Sequence, residues 1–189
     1  MNGLNRCTPH HRMKGFSIVE IIVVIVIVGV FLAIVGPRIA RALSGAEGTK
    51  HVTELTDLSA CIRTTYNNRG DFQTFDANLV ADRCGQANRR VVVGGTTSVL
   101  NPAGQTIAFA IATAAPFSWV DITSPGIPSD VCTNIMSSLA PNFVQITGTP
   151  VGGAATVVQA AGAVMDETQI PAACGQGTTT SVTMRINKG

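Results

Sequence analysis

The hydropathy pattern divides the chain sharply. From Phe16 to Gly36 the residues are apolar but for Ser17 and one acid, Glu20, and Pro37 closes the run. Coiled as a helix at about 1.5 Å per residue, those 21 residues reach about 31 Å, the thickness of a bilayer's hydrocarbon. Beyond Pro37 the pattern turns amphipathic. Ile39, Leu43, Val52, Leu55, Leu58, Ile62 and Tyr66 recur mostly at three- and four-residue spacing, with Arg38, Arg41, Glu47, Lys50, Glu54, Asp57 and Arg63 between them. This predicts one helix running from the membrane into a domain. Its expected weak points are Pro37, which removes a backbone donor, and Ser44-Gly45 with Gly48. Asn67-Asn68-Arg69-Gly70 is its expected stop.

Residues 71–90 have no clear period and read as a connecting loop, with Asp71, Asp76 and Asp82 solvated. Strands are expected at 90–93 before Gly94-Gly95, at Ile107, Phe109 and Ile111 after an Asn101–Gly104 turn, and at Trp119, Val120 and Ile122, halted by Ser124-Pro125-Gly126-Ile127-Pro128. Ser129 and Asp130 are expected to cap a short helix with Val131, Ile135 and Leu139 on one face, stopped by Pro141. Phe143–Ile146, Thr156–Val158 and the alternation Val182, Met184, Ile186 supply later strands, with Cys174 in a glycine- and threonine-rich approach to the last one.

Glu20 changes the picture most. A carboxylate in an apolar helix costs about 2.5–3.5 kcal/mol on insertion scales, and Lys14, six residues away, does not share its face. A cut between Gly15 and Phe16 would create an α-amino group four residues before Glu20, so that a neighbouring copy's amine could pair with the carboxylate. A secretory signal peptide fits poorly, because the run exceeds an h-region and the loose Ala40-Arg41-Ala42 site contains an arginine. A plain membrane anchor leaves Glu20 without a role.

Gly15-Phe16-Ser17-Ile18-Val19-Glu20, with the apolar run and Pro37 downstream, resembles the class III signal of type IV prepilins. In that family a peptidase cuts after the glycine and N-methylates the new first residue; counted from Phe16, Glu20 is fifth and Pro37 twenty-second. The resemblance implies an α+β pilin fold, a long N-terminal helix packed on an antiparallel sheet with a disulfide-closed C-terminal region. It implies a leader at 1–15, a transmembrane or filament-core half-helix at 16–37, an amphipathic half at 38–68 and a globular head at 69–189. Gly15 and Phe16 would be the cleavage and methylation site, and Glu20 and Pro37 would serve assembly.

Charge and cysteines agree with export. The leader holds Arg6, Arg12 and Lys14 and no acid, which keeps it cytoplasmic; removing these three of 13 basic residues leaves ten against 11 acidic, and no footprint for nucleic acid. Cys7 would leave with the leader, and His10-His11 is no metal site worth choosing. Cys61, Cys84, Cys132 and Cys174 form an even set that reads as two disulfides, with three pairings open to it. Proximity and the pilin resemblance select Cys61 with Cys84 and Cys132 with Cys174.

An enzyme is not expected. His51 is the one histidine after cleavage and reads as lying on the polar side of the helix, without a nucleophile to serve. No P-loop, cofactor motif or close cysteine pair for zinc occurs. The resemblance therefore implies a self-polymerising major pilin, in particular of the type IVb branch. Its partners would be the peptidase, the membrane and the assembly platform. It would sit in the inner membrane before assembly and in an extracellular filament afterwards, serving adhesion or conjugation. The alternatives are a type II secretion pseudopilin and a minor tip pilin or adhesin.

Overall fold

The computed structural model describes residues 18–69, 71–111 and 118–187, and for 36–44 the backbone alone. The chain divides into two compact units, 1–41 and 42–189. Helix α1, Ile18–Thr65, contributes to both and stays helical through Pro37, Gly45 and Gly48, the expected weak points. Gly48 is buried for a packing reason, since a Cβ built on it would meet Asn134 Cβ at 3.5 Å and Val131 Cγ1 at 3.8 Å. The helix ends at Thr65, three residues short of the expected boundary, and turns follow at 66–69; Gly70 lies outside the described residues.

In the second unit a five-stranded antiparallel sheet has the order β3-β4-β7-β5-β6, formed by Ala108–Ile111, Trp119–Pro128, Thr179–Asn187, Gln145–Pro150 and Thr156–Gln159. The last strand of the chain, β7, is central. Alternation sends Val120 and Ile122 of β4 and Val182, Met184 and Ile186 of β7 into the core. There they join Leu55, Leu58 and Ile62 of α1, Tyr66 just after it, and Val131, Ile135, Met136 and Leu139 of α3, Ser129–Leu139. On the outer face Asp121 accepts two hydrogen bonds of 2.7 Å from Arg185, whose guanidinium lies 3.8 Å over the Trp119 ring.

A separate two-stranded hairpin, β1 (Arg90–Val93) and β2 (Thr96–Val99), closes through Gly94-Gly95, both with positive φ, as such a tight turn demands.

Four expectations need correction. Residues 71–90 are not one loop, because Asp76 accepts hydrogen bonds from the backbone of Asn78 and Leu79 and starts helix α2, Ala77–Cys84; a 3-10 turn, Ala87–Arg89, comes next. Strand β4 is not halted at Ser124, because a bulge absorbs Pro125 and Gly126 while Ile127 resumes pairing with Thr180. Gly126 takes φ 71° there, and the Pro125 carbonyl is bonded by the buried Asn101. Ser129 and Asp130 are not caps: Pro128 holds the N-cap position, so they fall within the first turn. Finally, Cys174 ends a short helix, α4 (Ile170–Cys174), where only a glycine- and threonine-rich approach to β7 was expected.

Candidate assembly segment and the stapled head

The segment around Glu20 belongs to α1, which is described from Ile18 onward. The 14 large apolar side chains from Ile18 to Ile34 are all exposed; Ile18 is 76% accessible and Val28 49%. They surround the helix, with no polar stripe to face water. A helix that is apolar all round requires a lipid or protein environment on every side. Ile18–Val35 is long and apolar enough to cross a membrane. Its Val and Ile content is a poor choice for an isolated helix in water, but in hydrocarbon the backbone must satisfy its own hydrogen bonds, and the helix does so. Gly15 and Phe16 lie outside the described residues, as does the side chain of Pro37.

In the second unit the cysteines form two disulfides. Cys61–Cys84 joins α1 to α2 with Cα atoms 5.6 Å apart, and Cys132–Cys174 joins α3 to α4 with Cα atoms 5.7 Å apart. The first is half-buried. The second is fully buried, with Cys174 Sγ 3.8 Å from Met136 Sδ.

His51 and Glu54 are not on a polar helix side, as their spacing suggested, because the turn at 87–89 brings Arg89 to them; they are 2% and 5% exposed. Glu54 Oε2 lies 3.5 Å from Arg89 Nε, while Glu54 Oε1 and His51 Nδ1 are buried without a hydrogen-bond partner. Burial, assisted by the Arg89 charge, lowers the His51 pKa to about 4. Burial raises that of Glu54 against the opposing pull of Arg89. Glu54 also borders an open groove of about 440 Å³ lined by Ala46, Thr49, Lys50, Thr53, Gln86 and Arg89. The sequence signal for this cluster was the His51-x-x-Glu54 spacing, which puts both side chains on one helix face; its third member is 35 residues further on. Among the described residues no group of three or more His, Cys, Asp or Glu side chains is arranged to hold a metal.

Residues 10–36 match the family model described as the prokaryotic N-terminal methylation motif. A search among curated proteins finds no significant match. Two solved structures are similar in fold. TcpA, a type IV pilin from Vibrio cholerae El Tor biotype, is 15% identical with a TM-score of 0.53, covering 75% of this chain and 99% of its own. The type IVb pilin from Salmonella typhi is 16% identical with a TM-score of 0.51, covering 70% of this chain and 95% of its own. Identities this low speak for the fold, and the motif speaks independently for the N-terminus. The chain thus carries a prokaryotic N-terminal methylation motif ahead of a disulfide-closed α+β domain with the type IV pilin fold.

Proposed function

We propose that the chain is the major structural subunit of a type IV pilus of the type IVb branch, polymerising after a prepilin peptidase cuts between Gly15 and Phe16. The observation that carries this reading is the helix from Ile18 to Ile34, exposed on every side and bearing one charge at its head. Moving its 14 large apolar side chains out of water is worth on the order of 20–40 kcal/mol, so the segment is always covered. Before assembly lipid covers it, and in a filament neighbouring helices do. Lipid tails are as apolar as leucine, so the exchange itself supplies little net hydrophobic drive, and packing and polar pairing decide it.

Glu20 supplies that pairing. Its carboxylate is costly in the bilayer and favourable beside the Phe16 amine of an adjacent subunit, which makes assembly the state in which both charges are matched. The head forms the exterior, serving attachment to surfaces or conjugative DNA transfer. Catalysis belongs to the peptidase and to the assembly machinery.

Immunogold labelling of cells tests the reading. Decoration along whole filaments is expected. Tip-only labelling would make the chain a minor pilin or adhesin, and processed protein without surface filaments would make it a type II secretion pseudopilin.

A further inference from the structure

The charges of the head are segregated along the chain. Between Arg90 and Arg185 there is no lysine or arginine, and the acids of that stretch are Asp121, Asp130, Asp166 and Glu167. Asp121 is held by Arg185, and Asp130 lies in the first turn of α3. Asp166 and Glu167 stand together on an exposed loop, 160–169, that carries no basic residue.

This loop follows β6, an edge of the sheet, and is a built projection. The Ala163 amide donates to the Ala160 carbonyl at 3.0 Å around Gly162, whose φ is 76°. The Asp166 amide donates to Val158 of β6 at 2.8 Å, and Asp166 Oδ1 accepts from both the amide and the hydroxyl of Thr168 in a 3-10 turn, Glu167–Gln169. Met165 packs on the core, whereas Val164 beside it is 93% exposed. The loop therefore presents one apolar side chain next to two acids in a shape fixed in advance.

The groove of about 440 Å³ beside Glu54 has the complementary character. Ala46, Thr49 and Thr53 line it with small side chains, and both threonines donate their hydroxyl protons to α1's own carbonyls, at 3.0 and 2.9 Å. Lys50 is exposed and, among the described residues, in no salt bridge; Arg89 reaches Glu54 only through a 3.5 Å contact of Nε. Glu54 Oε1 is buried there without a partner.

Groove and loop lie on opposite flanks of the head. Gln86 and Arg89 border α1 on one side, and on the other Gly48 meets α3. The Cys132–Cys174 bridge joins α3 to α4, and α4 is entered directly from the turn that ends the loop. A subunit so arranged cannot seat its loop in its own groove. Contact between two different patches is heterologous and repeats from copy to copy, and where the rotation does not close it builds an open filament.

We propose that the groove receives the 160–169 loop of a second copy of this chain, with Val164 over the small residues and Asp166 and Glu167 paired with Lys50 and Arg89. This docking rests on the polymer reading above and is a contact between heads, separate from the pairing of Glu20. A loop ordered beforehand loses little freedom on binding, and opposite charges across the contact fix its register. The loop's backbone amides supply donors near Glu54 Oε1.

Crosslinking in sheared filaments tests the docking. Thr49→Cys and Val164→Cys combined in one chain, both at exposed positions, should give a ladder of covalent multimers on a non-reducing gel after mild oxidation. Peptide mapping should join position 49 of one copy to position 164 of the next, and each single variant should stay monomeric. The charge pair reads the same contact without cysteines: Lys50→Glu should lower filament yield at an unchanged level of processed subunit, and adding Glu167→Lys should restore it. Filaments of the double cysteine variant without a ladder, a ladder from either single variant, full yield from Lys50→Glu, or no recovery with Glu167→Lys would each overturn the docking and leave the polymer reading intact. A parent chain that forms no filaments would overturn both.

Discussion

The apolar helix from Ile18 to Val35 and the head from Ala42 onward answer to different partners. In the head the core side chains have specific neighbours: Ile122 pairs with Met184 across the sheet, Cys174 lies on Met136, and Gly148 is surrounded. In the apolar helix the large side chains from Ile18 to Ile34 are exposed among the described residues, and a Cβ built on Gly29 finds no atom within 4 Å. The difference teaches that the head's residues are specified by the subunit's own folding. Those of the helix are specified by what surrounds it, which on the proposed function is first lipid and then other copies. Substitutions in the two regions should therefore fail in different assays, head variants in stability and helix variants in processing and assembly.

The largest expected effect is at the cut. On the proposed cleavage, Gly15→Leu puts a bulky side chain where the peptidase would accept almost none, so full-length precursor should accumulate in the inner membrane while the head folds normally. Immunoblotting for the unprocessed chain checks this, and normal mature protein would break the separation between the regions.

Next comes the head's framework. Removing the Cys132–Cys174 bridge, which spans 42 residues, should cost about 4 kcal/mol, and removing Cys61–Cys84, which spans 23, about 3.5 kcal/mol, by the chain-entropy account. Denaturant titration monitored by Trp119 fluorescence reads both. Because the first bridge is fully buried and the second half-buried, mild thiol under native conditions should open Cys61–Cys84 first; the reverse order would contradict this difference in burial.

A smaller pair of effects compares two glycines directly. A methyl at Gly148 would sit 2.5 Å from the Ala173 carbonyl oxygen and 2.5 Å from Met136 Cε, so Gly148→Ala should cost about 1–3 kcal/mol in the same titration. Gly29→Ala has open space and gains up to about 1 kcal/mol of helix propensity, so subunit stability should hold. If Gly29→Ala nevertheless reduces filament number, that loss reports helix packing between copies.

Much of this contrast was legible in the residues. The apolar run with a single acid declared a helix for a non-aqueous environment, and the alternation Val182, Met184, Ile186 declared a half-buried strand. The features that stayed hidden depended on contacts distant in sequence. His51 and Glu54 looked solvent-facing because nothing local shows that Arg89 folds over them. Strand β4 looked interrupted because a bulge at Pro125-Gly126 is visible only against its partner β7. Helix α2 was obscured because eight residues give barely two turns of periodicity, although Asp76 two positions before Asn78 was a readable cap. Gly15, Phe16 and the side chain of Pro37 remain readings of the motif.

The most direct test of the central claim, that Glu20 is a charge kept for assembly, is to express Glu20→Ala as the sole pilin and compare processed protein in the membrane with sheared surface filaments. Removing the carboxylate relieves the bilayer cost, so cutting and insertion should be at least as efficient as in the parent chain. Losing one partner of a buried pair costs about 3–5 kcal/mol, so filaments should be largely absent. Abundant normal filaments from this variant would contradict the account.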